Sequence, residues 1–169
     1  MISVRKIRVA KKGKIRNATR LEIDGHKFRS KLEAFTYQKL KENGITDFEY
    51  EKVKFVLQPA FTFSSRSHES FERIDRVTKV KLKGFDEAKP EIREVTYLPD
   101  FVCIDAETKT GWIIEDKGYG NDSWPLKLKM FKKLLTDEGF NIDLYIPNNQ
   151  GNVLKCIEQI KLKYYNKNV

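Results

Sequence analysis

Apolar residues along the chain recur with either a helical or a strand period, and their order predicts most of the elements. Residues 22–28 read as a short extended or turn segment. Leu32, Phe35, Thr36 and Leu40 then share one side of a helix predicted from Ser30 to Asn43, ended by Gly44. From Asp47 to Leu57 apolar and polar residues alternate, with Phe48, Tyr50, Val53, Phe55 and Leu57 as the apolar positions of a strand that Pro59 stops. Residues 62–92 carry less pattern: Ser64, Ser65, Ser67 and Ser70 suggest a loop, while Val77 to Leu82 alternates like an exposed hairpin strand. Two β-prone runs, 93–104 and 111–117, are joined by 105–110 and predict an antiparallel hairpin. After the loop 118–125 come a helix to about Glu138 and a strand over Ile142, Leu144 and Ile146, an order that predicts strand, crossover helix and parallel strand. Val153, Leu154, Ile157, Ile160 and Tyr164 repeat at helical spacing and predict a closing amphipathic helix. The expected fold class is α/β, a central mixed sheet flanked by helices.

Composition narrows this to one domain with a real core. The chain has 169 residues, 40% hydrophobic and 12% aromatic, which excludes wholesale disorder and a collagen-like repeat. No apolar run is long enough to span a bilayer, so no membrane partner is expected. Charge changes the picture more. The net charge is +9, yet residues 1–20 hold Arg5, Lys6, Arg8, Lys11, Lys12, Lys14, Arg16 and Arg20 and no acid, while the rest of the chain is close to neutral. The expected organisation is a basic arm, 1–20, and a single domain, 21–169, in which 62–92 is an elaboration. A polyanion is the natural partner of the arm; the alternative is a solvated tail. Cys103 and Cys156 form no C-x-x-C pair, so neither a zinc frame nor a disulfide network is expected. Both thiols read as packing residues in a reducing, cytoplasmic setting.

The hairpin supplies the candidate chemistry. A symmetric register that sets Asp105 opposite Thr110 also sets Asp100 opposite Glu115, with Cβ atoms roughly 5 Å apart. The period of two then puts Glu115 and Lys117 on the face of Asp100, among Leu98, Val102, Ile104 and Ile113. Two carboxylates this close repel by about 4 kcal/mol at 4 Å and an effective dielectric near 20, so something cationic must compensate. Hard oxygen donors suit Mg²⁺, with Mn²⁺ as a substitute. Such an ion would lower the pKa of a bound water, and Lys117 would steady the developing charge. An exposed cross-strand ion network is the alternative. Glu33 has two readings. It stands three residues after Ser30, the spacing of a capping box, and it borders the apolar stripe of its helix, where a carboxylate could join a metal site.

Pro99-Asp100 followed one hairpin later by Glu115-Asp116-Lys117 resembles the motif of the PD-(D/E)XK nuclease superfamily. Arg29-Ser30-Lys31-Leu32-Glu33, Lys41 to Ile45, Phe48-Glu-Tyr-Glu51, Tyr97-Leu-Pro-Asp-Phe101 and Glu115-Asp-Lys-Gly118 run in the order found in bacteriophage endonuclease I, a family that resolves Holliday junctions and other branched DNA. The resemblance covers residues 28 to about 135. It implies a restriction-endonuclease-like core and a homodimeric, Mg²⁺-dependent phosphodiesterase with Glu33, Asp100, Glu115 and Lys117 as catalytic residues and Asp100, Glu115 and Glu33 as metal ligands. Two features depart from the pattern: Asp116 adds an acid between Glu115 and Lys117, and 62–92 lengthens the connection before Asp100.

Gly118-x-Gly120 lacks the third glycine of a dinucleotide fingerprint, so no nucleotide cofactor is expected. Asn121, Lys127, Arg29 and Lys31 are instead candidate DNA contacts together with the arm. Lys127, Lys129, Lys132 and Lys133 could equally form the wet face of their helix. Tyr119 and Trp124 could stack on a base or pack under the loop. His26 and His68 are isolated and read as structural or surface residues. Three functions follow: a nuclease for branched DNA, a nuclease of the same chemistry for linear duplex or specific sites, and a non-catalytic DNA-binding module.

Overall fold

A computed structural model of the chain describes residues 21–117 and 123–166. In chain order the elements begin β1 (Leu21–Ile23), β2 (His26–Phe28), α1 (Lys31–Glu42), β3 (Glu49–Tyr50), β4 (Phe55–Gln58), β5 (Phe61–Thr62), β6 (His68–Ile74) and β7 (Lys81–Glu87). They continue with β8 (Glu91–Ile92), β9 (Val95–Tyr97), β10 (Phe101–Asp105), β11 (Thr110–Ile114), α2 (Trp124–Asp137), β12 (Asn141–Tyr145), α3 (Gln150–Ile160) and a π-helical turn, Lys161–Tyr165. The residues cluster into two compact units, one of 47–146 and one of 1–46 with 147–169. The basic arm and Asn121 lie outside the described residues, so their expected DNA contacts have no structural counterpart.

In the unit that holds α1, Asp24-Gly25 turns β1 onto β2 with φ of 51° and 77°, the left-handed pair a two-residue hairpin requires. Tyr37 of α1 packs its ring on Phe28 at 5.1 Å and on His26 at 5.4 Å. Helix α1 starts where Ser30 Oγ accepts the Glu33 N–H at 3.1 Å. It ends where Gly44, at φ +75°, lets the Gly44 and Ile45 N–H groups return to Lys41 and Leu40. Helix α3 begins on Asn149, whose side chain accepts the Asn152 N–H, and it packs on α1.

The larger unit is built on a four-stranded mixed sheet of order β12, β11, β10, β3, with β11 parallel to β12 and antiparallel to β10. Helix α2 covers one face. Its Phe131 and Leu135 are buried with Tyr97, Val102 and Ile113, and Phe55 meets Phe131 edge-on at 4.8 Å. Each such fully buried side chain contributes about 1.5–3 kcal/mol. The other face carries Phe48, Tyr50, Phe101 and Trp112 as an aromatic cluster. Among the described residues no helix is long and apolar enough to cross a membrane.

Four expectations need correction. The single strand over 47–57 is two, β3 on β10 and β4 on β9, because Glu51 adopts φ 47° and turns the chain between them. The run 93–104 is likewise split, since Leu98-Pro99-Asp100 leaves the ladder where Pro99 has no N–H to give it. Leu98 is 40% exposed, not buried beside the carboxylates. Most visibly, the expected loop holds only for Ser64, Ser65 and Ser67: Ser70 lies in β6, which forms a seven-pair antiparallel ribbon with β7, and the expected exposed hairpin strand begins at Lys81, with Val77 in the turn. Glu72 bridges Lys81 and Lys83 across that ribbon, and Phe71 fills the space over Gly84. Cys103 and Cys156 are both half-buried.

Candidate active site

The β10–β11 hairpin pairs Asp105 with Thr110 and Phe101 with Ile114, the register expected from the sequence. Continuing it by one pair sets Asp100 against Glu115 just past the ladder. Gly111 locks this register. At φ +147°, a Cβ there would lie 2.1 Å from the Cys103 carbonyl oxygen, so only glycine allows this approach of the strands. The strand β11 stops at Ile114, yet the Glu115 N–H still bonds to the Tyr145 carbonyl at 2.9 Å, which anchors Glu115 to β12.

Asp100 reaches across the end of the hairpin, its Oδ2 accepting the Asp116 N–H at 2.7 Å. Its backbone carbonyl accepts the Glu51 N–H at 2.9 Å. The left-handed backbone of Glu51 therefore sits directly on Asp100, and carboxylate oxygens of the two residues come within 4.8 Å. Such a conformation in a non-glycine residue costs of order 1–3 kcal/mol and is found where the surroundings demand it. Glu51 is a site residue that the alternation did not single out. The signal is in the spacing, because apolar positions step by three from Tyr50 to Val53 where a regular strand steps by two.

Glu115 is buried, and that burial pushes its carboxyl above the ordinary range. Lys117 acts in the opposite direction, its Nζ standing 3.3 Å from Glu115 Oε1. The same ammonium lies 4.8 Å from the centre of the Trp124 ring, which starts α2. The Trp124 indole N–H and the Tyr97 hydroxyl also lean toward Glu115 and favour its charge, although neither reaches hydrogen-bond geometry. Burial, then the charges of Glu115 and Asp100, hold the Tyr97 hydroxyl above its usual range, so both carboxylates are felt at one phenol. Asp116 is buried with its backbone on Asp100.

Asp100 and Glu51 offer the oxygen donors that a hard divalent cation takes, and beside them Glu115, a buried carboxylate resisting its own charge, is the kind of group a nearby positive ion relieves. Glu33 lies in the other unit. Ser30 caps the Glu33 N–H as expected, but Glu33 Oε2 accepts the Arg29 N–H at 3.0 Å, one residue before the Ser30 N–H that a capping box uses. Arg29 and Lys31 are exposed beside it. Lys127 is turned inward, donating to the Thr96 carbonyl at 3.2 Å, which ties α2 to β9.

A profile described as a protein of unknown function (DUF1064) matches residues 13–144. The chain belongs to the DUF1064 family. No curated protein and no solved structure matches it. The DUF1064 match takes in Glu33, Glu51, Asp100, Glu115 and Lys117 and stops within β12, so the whole candidate site lies inside the family's shared region while α3 lies outside it.

Proposed function

We propose that this member of the DUF1064 family is a metal-dependent DNA nuclease of the PD-(D/E)XK type with a restriction-endonuclease-like core. The observation that carries the reading is the register of β10 on β11, which joins Asp100, Glu115 and Lys117 at one end of a hairpin. Asp100, Glu51 and Glu115 would hold Mg²⁺ or Mn²⁺, which when bound supplies positive charge to the scissile phosphate and acidifies a coordinated water. Lys117 keeps an ammonium at the same place, able to orient the attacking water and to hold a proton as negative charge develops. Tyr97 and Trp124 keep bulk water off Glu115, so the charges inside interact strongly. The resemblance to bacteriophage endonuclease I favours branched DNA as substrate and a homodimer as the working form.

Junction, flap, mismatched and linear duplexes incubated in parallel with Mg²⁺, Ca²⁺ or chelator test this. Cleavage of the junction in paired strands with Mg²⁺, little cleavage of linear duplex and none in chelator is expected. Equal cleavage of junction and linear DNA selects the linear-duplex nuclease instead. Tight binding of DNA with no cleavage in Mg²⁺ or Mn²⁺ overturns the enzyme reading and leaves a binding module.

Glu33 enters this proposal through its place beside the apolar stripe of α1 and through the resemblance. Glu33→Gln keeps a side-chain oxygen that can cap α1 and removes the charge. Lost turnover at an unchanged melting temperature supports a catalytic Glu33; retained turnover leaves it a capping residue whose replacement by Ala costs about 1 kcal/mol.

A further inference from the structure

We propose that the β6–β7 ribbon is a second nucleic-acid contact whose basic tip enters a groove of duplex DNA, a surface that rests on the nuclease reading above. A two-stranded ribbon alone in water is marginally stable, so one with apolar residues facing solvent signals a partner. Here Ile74 and Phe85 are 65% and 66% exposed on one face, and Val77 at the turn is 89% exposed. Charge is sorted along the ribbon. Residues 73–79 at the tip carry Arg73, Arg76 and Lys79 against the single acid Asp75; behind them Glu72 pairs with Lys81 and Lys83, and Glu69, Asp86 and Glu87 gather at the opposite end.

Asp75 offsets only part of the tip's charge. Its Oδ1 accepts the Val77 N–H at 2.9 Å, the Thr78 N–H at 2.7 Å and the Thr78 hydroxyl at 3.0 Å, so the carboxylate is held against the turn while Arg73, Arg76 and Lys79 leave the tip net positive. Lys79 completes that turn at φ 58°. Among the described residues Arg76 and Lys79 make no salt bridge, and both flank the exposed Val77. Seven residues per strand give a projection of roughly 20 Å. A two-stranded ribbon fits the major groove, about 12 Å wide. Its walls are phosphates, which suit Arg76 and Lys79, and its floor offers thymine methyl groups to Val77 and Val80. A second copy of the chain is the rival occupant, since it could cover the same apolar residues.

The test uses the full chain in Ca²⁺ buffer with a fluorescent duplex and a four-way junction, titrated at several salt concentrations. Arg76→Gln/Lys79→Gln lowers affinity by on the order of tenfold or more and reduces the slope of log affinity against log salt by about 2. Val77→Ser lowers affinity with the slope unchanged. Both variants keep the melting temperature and light-scattering mass of the parent. Unchanged affinity and slope, or a binding loss that follows from loss of a dimer, overturns the ribbon contact. The parent chain separates the two readings: if it cuts DNA while the variants bind normally, the ribbon proposal alone fails, and if it neither binds nor cuts, both fail.

Discussion

Asp100→Asn loses about 10²–10³-fold or more of the Mg²⁺-dependent cleavage, with little change in folding. An amide oxygen can still accept the Asp116 N–H, so the hairpin end keeps its geometry while one negative donor disappears. Glu115→Gln and Lys117→Ala lose comparable turnover by removing the other donor and the ammonium 3.3 Å from it. Glu115→Gln has a second consequence. Because burial raises the folded-state pKa of Glu115 above its unfolded value, the folded chain binds the extra proton between the two values. Stability therefore falls as pH rises through the folded pKa, and above that pKa the ionised Glu115 is a burden. Replacing it with a neutral amide keeps or raises the melting temperature in chelating buffer. Single-turnover cleavage alongside thermal melts checks both halves. A Glu115→Gln chain that still turns over would remove Glu115 from the metal site, and one that unfolds would show that its charge is structural.

Gly111→Ala is expected to damage the scaffold more than any surface change. The added methyl meets the Cys103 carbonyl oxygen at 2.1 Å on a backbone of φ +147°. Overpacking costs about 1–3 kcal/mol, and side-chain crowding in this region of backbone space about 1–2 kcal/mol more. A loss near 3 kcal/mol lowers the melting temperature by roughly 6–12 °C in a domain of this size. Cleavage falls with it, because the strands that align Asp100 with Glu115 must separate or slip. A melting temperature within a degree of the parent would mean that the hairpin is looser than its backbone contacts indicate.

The parts of the fold that could be read from the sequence are those with an uninterrupted period. Helix α1 announced itself by stripe, cap and terminal glycine, and the β10–β11 register followed from a symmetric closure of Asp105 on Thr110, which aligned Asp100 with Glu115. Glu51 was not legible as a site residue, because its role depends on a left-handed turn that breaks β3 from β4 and not on residue type. The β6–β7 ribbon was only half legible: an exposed hairpin strand was expected over Val77 to Leu82, but β6, with Ser70 and charges on both faces, reads as loop when only burial drives the reading. Yet its turn was written in plain form. Asp75-Arg-Val-Thr-Lys79 and Asp105-Ala-Glu-Thr-Lys109 share one pattern, aspartate collecting two amides and a left-handed lysine closing the turn.

That shared turn bears on the order in which the chain can organise itself. Residues 100–117 contain Asp100, Glu115, Lys117 and the turn that aligns them, so their mutual alignment needs no contact from distant sequence. Hairpins of this kind close in roughly 1–10 μs, whereas bringing β12 alongside β11 must wait for α2 to span the gap. The reactive groups are thus set in relation to one another by the fastest, most local event available, and slower assembly has only to bury them.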